Sequence, residues 1–231
     1  SVSAAGNVDI SSTGGKVFVS GNGAATTLSG AQVTLTAAGN VALFSAGNLP
    51  GTITTTAGDA VVTAGGSGNI NVGAVSVTGG QATLTAGGSL TSGTITTTAN
   101  GNISLTTGTT LTVGSPVTAG GSGMVTLTAN GATSDILANT NVASTSGAII
   151  ATAGRNVTLN AGNITTAGNV TLTGTAGTVS EAGAGKISGT LLTTSSVGGT
   201  TLNAANTVRT YNATNTTSGN IAHTNTGALS I

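Results

Sequence analysis

Hydrophobic residues along the chain come in short alternating strings set between small and polar residues. Val8-Asp9-Ile10, Val17-Phe18-Val19, Val33-Thr34-Leu35, Ile70-Asn71-Val72, Ile103-Ser104-Leu105, Val125-Thr126-Leu127, Val157-Thr158-Leu159 and Val170-Thr171-Leu172 all follow this pattern. Alternation with period two marks a strand with one side buried and the other in solvent. The polar partners are mostly Thr, whose β-branched side chain suits a pleated surface. Gly-Asn often stands just before a string, as at 6–7, 39–40, 68–69, 101–102, 168–169 and 219–220. Both residues tolerate positive φ, so these pairs predict tight corners. No stretch has helical periodicity. No apolar run approaches the roughly 18 residues that a membrane-spanning helix needs.

The strings recur at a nearly fixed interval. Thr52-Ile-Thr-Thr-Thr-Ala returns at Thr94, and Gln32-Val-Thr-Leu-Thr-Ala resembles the phrase at Gln81. Val62-Thr-Ala-Gly-Gly-Ser-Gly returns at Val117. One aliphatic series runs through Leu43, Val62, Leu84, Leu105, Leu127, Ile150, Leu172 and Leu192. A looser series runs through Leu35, Ile53, Val77, Ile95, Val117, Ile136, Leu159 and Val179. Both step by roughly 21 residues, the range in which a fixed period signals a solenoid. Two interleaved series predict one coil per period, with two or three strands each. The fold class is all-β, a parallel right-handed β-helix, because coils that cannot bury their apolar side chains alone must stack and parallel crossovers are right-handed. Roughly 11 coils at about 4.8 Å per coil give a rod on the order of 50 Å long. The whole chain, 1–231, is one repeat segment, with less regular final coils over 180–231. It starts at Ser1 without Met, has no signal peptide and shows no polar cap. It is therefore expected to be a segment of a longer secreted protein, or a processed form.

Composition alone looks like a recipe for disorder. Only 3% of the 231 residues are charged, the net charge is zero and 39 are Gly. The periodic order of the aliphatics argues for a folded solenoid instead. Absence of Cys removes any disulfide framework or thiolate metal site. Four Lys and Arg give no basic footprint for nucleic acid and no polybasic lipid patch. The near-absence of aromatic girdles disfavours a membrane β-barrel, so no membrane insertion is expected.

Candidate chemistry is sparse. Asp9, Asp59, Asp135 and Glu181 are far apart and do not share a column in the repeat register, whereas a glycosidase needs two carboxylates about 5–10 Å apart. His223 reads as a solvent-facing strand residue. Gly65-Gly-Ser-Gly68 and Gly120-Gly-Ser-Gly123 read as turns at equivalent repeat positions, not phosphate cradles, and Gly185-Lys186 lacks the upstream Gly of a P-loop. The recurring Asp of calcium-binding nonapeptides is missing. Asn102, Asn156, Asn163 and Asn169 stand in Asn-x-Ser/Thr, but this falls out of the strand grammar. Lys16, Lys186, Arg155 and Arg209 read as isolated solvated charges; Phe18, Phe44 and Tyr211 fill wider corners or pack near loops, with sugar stacking by Tyr211 the lesser reading. Catalytic residues, cofactors and metals are therefore expected to be none. One surface feature remains, an outward array of Thr83, Thr85, Ser104, Thr106, Thr126, Thr128, Thr171 and Thr173, interrupted by Ile149 and Ala151.

The phrases Gly-Asn-Val-Thr-Leu-Thr (168–173), Gln-Val-Thr-Leu-Thr-Ala-Ala-Gly (32–39) and Gly-Asn-Ile-Ser-Leu-Thr (101–106) resemble filamentous-haemagglutinin-type repeats. So do the phrases beginning at Gly183, Ser196 and Ser218. The resemblance covers nearly the whole chain. It implies the shaft of a large exoprotein of Gram-negative bacteria, passed through an outer-membrane transporter by two-partner secretion. The family's secretion domain carries Asn-Pro motifs, and none occurs here. The function implied is adhesion, aggregation or biofilm-matrix work, extracellular and at the cell surface, with the host or a neighbouring cell as partner. The uncharged surface adds lateral or end-to-end self-association. The alternatives are a self-assembling extracellular filament or sheath subunit, an ice-binding β-helix using the Thr array, and a polysaccharide-acting β-helix enzyme.

Overall fold

The computed structural model describes residues 2–20, 26–44 and 51–231. These form twenty-seven strands and no helix. Every strand pairing among them is parallel, and through most of the chain each strand pairs with the third one after it. The chain therefore winds as a β-solenoid with three strands per coil, one on each of three faces.

The broad face carries five-residue strands: Val8–Ser12, Val33–Ala37, Ala60–Ala64, Ala82–Ala86, Ile103–Thr107, Val125–Ala129, Ile149–Ala153 and Val170–Gly174. Residues 192–196 and 211–215 continue it, so it has ten rungs. The second face runs from Val17–Ser20 through Leu90–Ser92 and Ile136–Ala138 to Ile221–Asn225. The third runs from Val2–Ser3 through Ile95–Thr97 and Val142–Ser144 into the start of Ile187–Ser196. Coils are thus about 22 residues apart, in about ten turns where the sequence predicts 11. Individual steps are uneven, longer from Val33 to its partner Ala60 than from Ala82 to its partner Ile103, because corners absorb extra residues while strand lengths hold.

Alternation produces the core directly. On the broad face the burial pattern is buried, intermediate, buried, intermediate, buried on most rungs. Leu35, Val62, Leu84, Leu105, Leu127, Ala151 and Leu172 stack in one enclosed column. Each fully buried aliphatic contributes roughly 1.5–3 kcal/mol. The two aliphatic series read from sequence turn out to be composites. Leu43 belongs to the second face and Ile150 points outward, since Ile150 is in register with Thr126 and Thr171. Ile53 lies on the third face, whereas Ile136 and Leu159 lie on the second.

Corners are built differently from the expectation. Of the six Gly-Asn pairs named above, only that at 219–220 has its Gly at a positive φ. At several of these glycines backbones touch: a Cβ on Gly101 would sit 2.0 Å from the Gly80 carbonyl oxygen and one on Gly68 2.3 Å from that of Gly39, whereas one on Gly6 would meet nothing within 4 Å. Three of the Asn residues, Asn40, Asn69 and Asn102, use their carboxamides to join successive coils, as do Asn141 and Asn163 elsewhere. Asn40 Oδ1 accepts the Asn69 N–H one coil later (2.8 Å), and Asn69 Oδ1 accepts that of Ser89 (2.7 Å). Asn102 does the same for Met124 (2.8 Å), Asn141 for Asn163 and Asn163 for Lys186 (both 3.0 Å). Buried hydroxyls seal the corner beside the broad face: Thr97 donates to the Gly101 carbonyl at 2.5 Å, Ser144 to Gly123 at 2.7 Å and Thr166 to Gly147 at 2.6 Å. Buried polar groups must be paired to avoid the desolvation cost, and these corners pair theirs internally.

Near its C-terminal end the winding loses its breaks. Ile187–Ser196 and Thr200–Asn215 are continuous strands of 10 and 16 residues, and the second passes over all three faces. A register shift falls between Leu202 and Asn206.

Candidate functional site: the hydroxyl face

The predicted array lies on the broad face, and the ladder brings its members together. Thr83, Ser104, Thr126 and Thr171 are successive rungs of one outward row, with Ile150 between the last two. Thr85, Thr106, Thr128 and Thr173 form the other, with Thr152 in the place between the last two. The interruption predicted at Ile149 and Ala151 does not exist there: both are buried, and Ile150 and Thr152 face out. Three aliphatic or small residues in succession leave the phase of the strand undetermined locally. The ladder fixes it, by pairing Ile149 with buried Val125 and Val170.

The second row is then longer than expected. It reads Ser11, Thr36, Thr63, Thr85, Thr106, Thr128, Thr152, Thr173, Ser195 and Thr214, a hydroxyl on every rung. The first row departs from hydroxyl at Asp9, Val61, Ile150 and Asn212. No register shift interrupts the broad face along its ten rungs. The hydroxyl groups of these two rows make no hydrogen bond within the chain among the described residues, in contrast to the sealed corners.

Titratable residues are few and differently placed from the sequence reading. His223 is not solvent-facing. It sits in register with buried Leu202, its ring stacks on Tyr211 at 4.4 Å between centroids, and both ring nitrogens are enclosed without a partner among the described residues. Burial holds the imidazole below its ordinary pKa of 6.5. Tyr211 is itself buried and its phenol oxygen lies 3.0 Å from Thr194 Oγ1, so its ring is not offered to a sugar. Burial raises the Glu181 pKa above its ordinary value, against the opposing hydrogen bonds from the Ala204 N–H (2.7 Å) and Asn206 Nδ2 (3.4 Å).

Arg155 is not isolated. Its guanidinium forks onto Asp135, Nε to Oδ1 at 2.9 Å and Nη2 to Oδ2 at 2.5 Å, and this bidentate bond leads the causes that lower the Asp135 pKa. Phe18 fills no corner; it is 57% exposed, with the Lys16 ammonium 5.8 Å from its ring centroid. The Phe44 side chain lies outside the described part. Gly65–Gly68 and Gly120–Gly123 are both turns, with Gly66 and Gly121 at positive φ, but they are not equivalent. The first leads from the broad face to the second, the other from the third to the broad face. The described residues contain no cluster of three or more His, Cys, Asp or Glu.

Comparison with family models, curated proteins and solved structures finds no match. The filamentous-haemagglutinin resemblance therefore rests on the repeat phrases alone.

Proposed function

We propose that the chain is a structural shaft, the stem of a secreted bacterial surface adhesin or biofilm-matrix exoprotein. The observation that carries this reading is the regularity of the winding. Ten coils hold one aliphatic core, and their corners are closed by internal hydrogen bonds. Stacked coils act as a quasi-one-dimensional element that spans distance without needing a site of its own. The charge-poor outer rows fit contact with other surfaces rather than chemistry on a small molecule.

Bead display tests it. Latex beads coated with the purified chain should clump and adhere to epithelial monolayers or abiotic surfaces above beads coated with an inert protein. Adherence and clumping at the level of the inert control would remove the adhesive reading.

A further inference from the structure

We infer that the broad face is a homodimerisation surface: a second copy of this chain docks on it, hydroxyl row against hydroxyl row. The inference does not depend on the adhesin reading.

Three observations carry it. The first is hydrogen-bonding capacity. Corner hydroxyls such as Thr97 and Ser144 are committed to carbonyls inside the chain, while those of the two outward rows are not. A hydroxyl both donates and accepts, so a face of hydroxyls is complementary to itself under a two-fold axis, as an isologous interface requires.

The second is charge. Asp9, on the first rung, is the one charged residue among the twenty outward positions of this face. Two copies can meet without opposing like charges, the usual device by which sheet surfaces keep apart.

The third is area. A face ten strands long and five residues wide covers about 800 Å² at the spacing and rise of a sheet, the area each partner gives to a standard interface. The second and third faces, with most strands only two to four residues long, present a single outward row and fall short of this. Val61 and Ile150 break the polar regularity of the first row. In a protein–protein contact they supply apolar area; in a lattice of ordered water they would be defects.

Sedimentation velocity over a wide concentration range tests the proposal. The wild-type chain is expected to sediment as a dimer. The double variant Thr106→Lys with Thr128→Lys should weaken dimerisation by at least about tenfold, through like charges brought together at the interface. Ser76→Lys with Thr118→Lys, on the third face, should leave it unchanged. Circular dichroism of both variants reports whether the solenoid is retained; for a variant that unfolds, the milder Thr106→Glu or Thr118→Glu replaces it. A wild-type chain that stays monomeric at all concentrations overturns the proposal. Equal loss in both variants, or loss in neither, overturns the assignment to the broad face. So does ice faceting by a monomer, which would give the face to water.

Discussion

Tyr211 and His223 stack at 4.4 Å between ring centroids and 28° between planes, Tyr211 on the last rung of the broad face and His223 on the last strand of the second. The pair closes the core where the aliphatic columns give way to larger and more polar side chains. Val170, Leu192 and Tyr211 are consecutive rungs of one inward row.

Burial of His223 in this stack predicts that the last coils are sensitive to acid. The His223 pKa is depressed by burial, so on acidification the unfolded chain takes up the proton first. Stability present above about pH 6.5 is lost progressively as pH falls toward the depressed folded value. Glu181 has the opposite sign: its pKa is raised, so its contribution is greatest below its ordinary value of 4.5 and declines as pH rises. His223→Phe keeps a ring on Tyr211 and removes the proton site. Thermal melts at pH 8 and pH 5.5 should show that acidification lowers the midpoint less, or raises it more, in His223→Phe than in wild type. An unchanged difference would mean that the imidazole is not the titrating group.

The carboxamide ladder predicts a graded pair of substitutions. Asn102 accepts the Met124 N–H at 2.8 Å and its Nδ2 lies 3.3 Å from Gln81 Oε1. Asn102→Ala should destabilise by about 0.5–1.5 kcal/mol, the net value of a typical hydrogen bond. Asn102→Asp retains the acceptor and should cost less. Urea denaturation with a common slope separates the two.

Glycine positions should divide sharply by their surroundings. Gly101→Ala forces a methyl to within 2.0 Å of the Gly80 carbonyl oxygen, and the backbone must move. Gly6→Ala meets nothing within 4 Å. The first should lower the unfolding midpoint or prevent folding. The second should be neutral or stabilising by about 0.4–1 kcal/mol, by restricting the unfolded chain.

Adjacent residues on one strand should also respond oppositely. Leu105 is fully buried and Thr106 faces out. Leu105→Ala should cost about 2–5 kcal/mol by leaving a cavity in the column. Thr106→Ala should stay within about 0.5 kcal/mol, as surface changes do. Comparable losses at the two sites would contradict the assigned inward and outward sides.

The solenoid was legible because its core and its surface obey one short rule, aliphatic in and Thr out, repeated at nearly constant intervals. Phase was not legible where that rule goes silent, as at Ile149-Ile150-Ala151, nor was the face to which an isolated aliphatic such as Leu43 belongs. Those depend on which strand lies above and below, information that alternation within one strand does not hold. The ion pair of Arg155 with Asp135 joins residues one coil apart in the winding, and the period could have found it. The inward His223 and Glu181 could not have been found that way, because both are polar residues in positions that elsewhere hold aliphatics. On the hydroxyl face the eight predicted members were legible; Thr152 and the continuation to both ends needed the register.

The carboxamide ladder has a direction. Asn40, Asn69, Asn102, Asn141 and Asn163 each accept an N–H from the coil that follows, so a coil already in place carries on its leading edge the acceptors its successor needs. Near the C-terminal end the sense reverses: Asn206 accepts from Ile187 and Asn225 from Val208, each in the preceding coil. A chain that winds from its N-terminus meets a prepared template at each turn, and the last two coils instead clamp back onto what has been wound. The carboxamide acceptors thus face forward along most of the described winding and backward at Asn206 and Asn225.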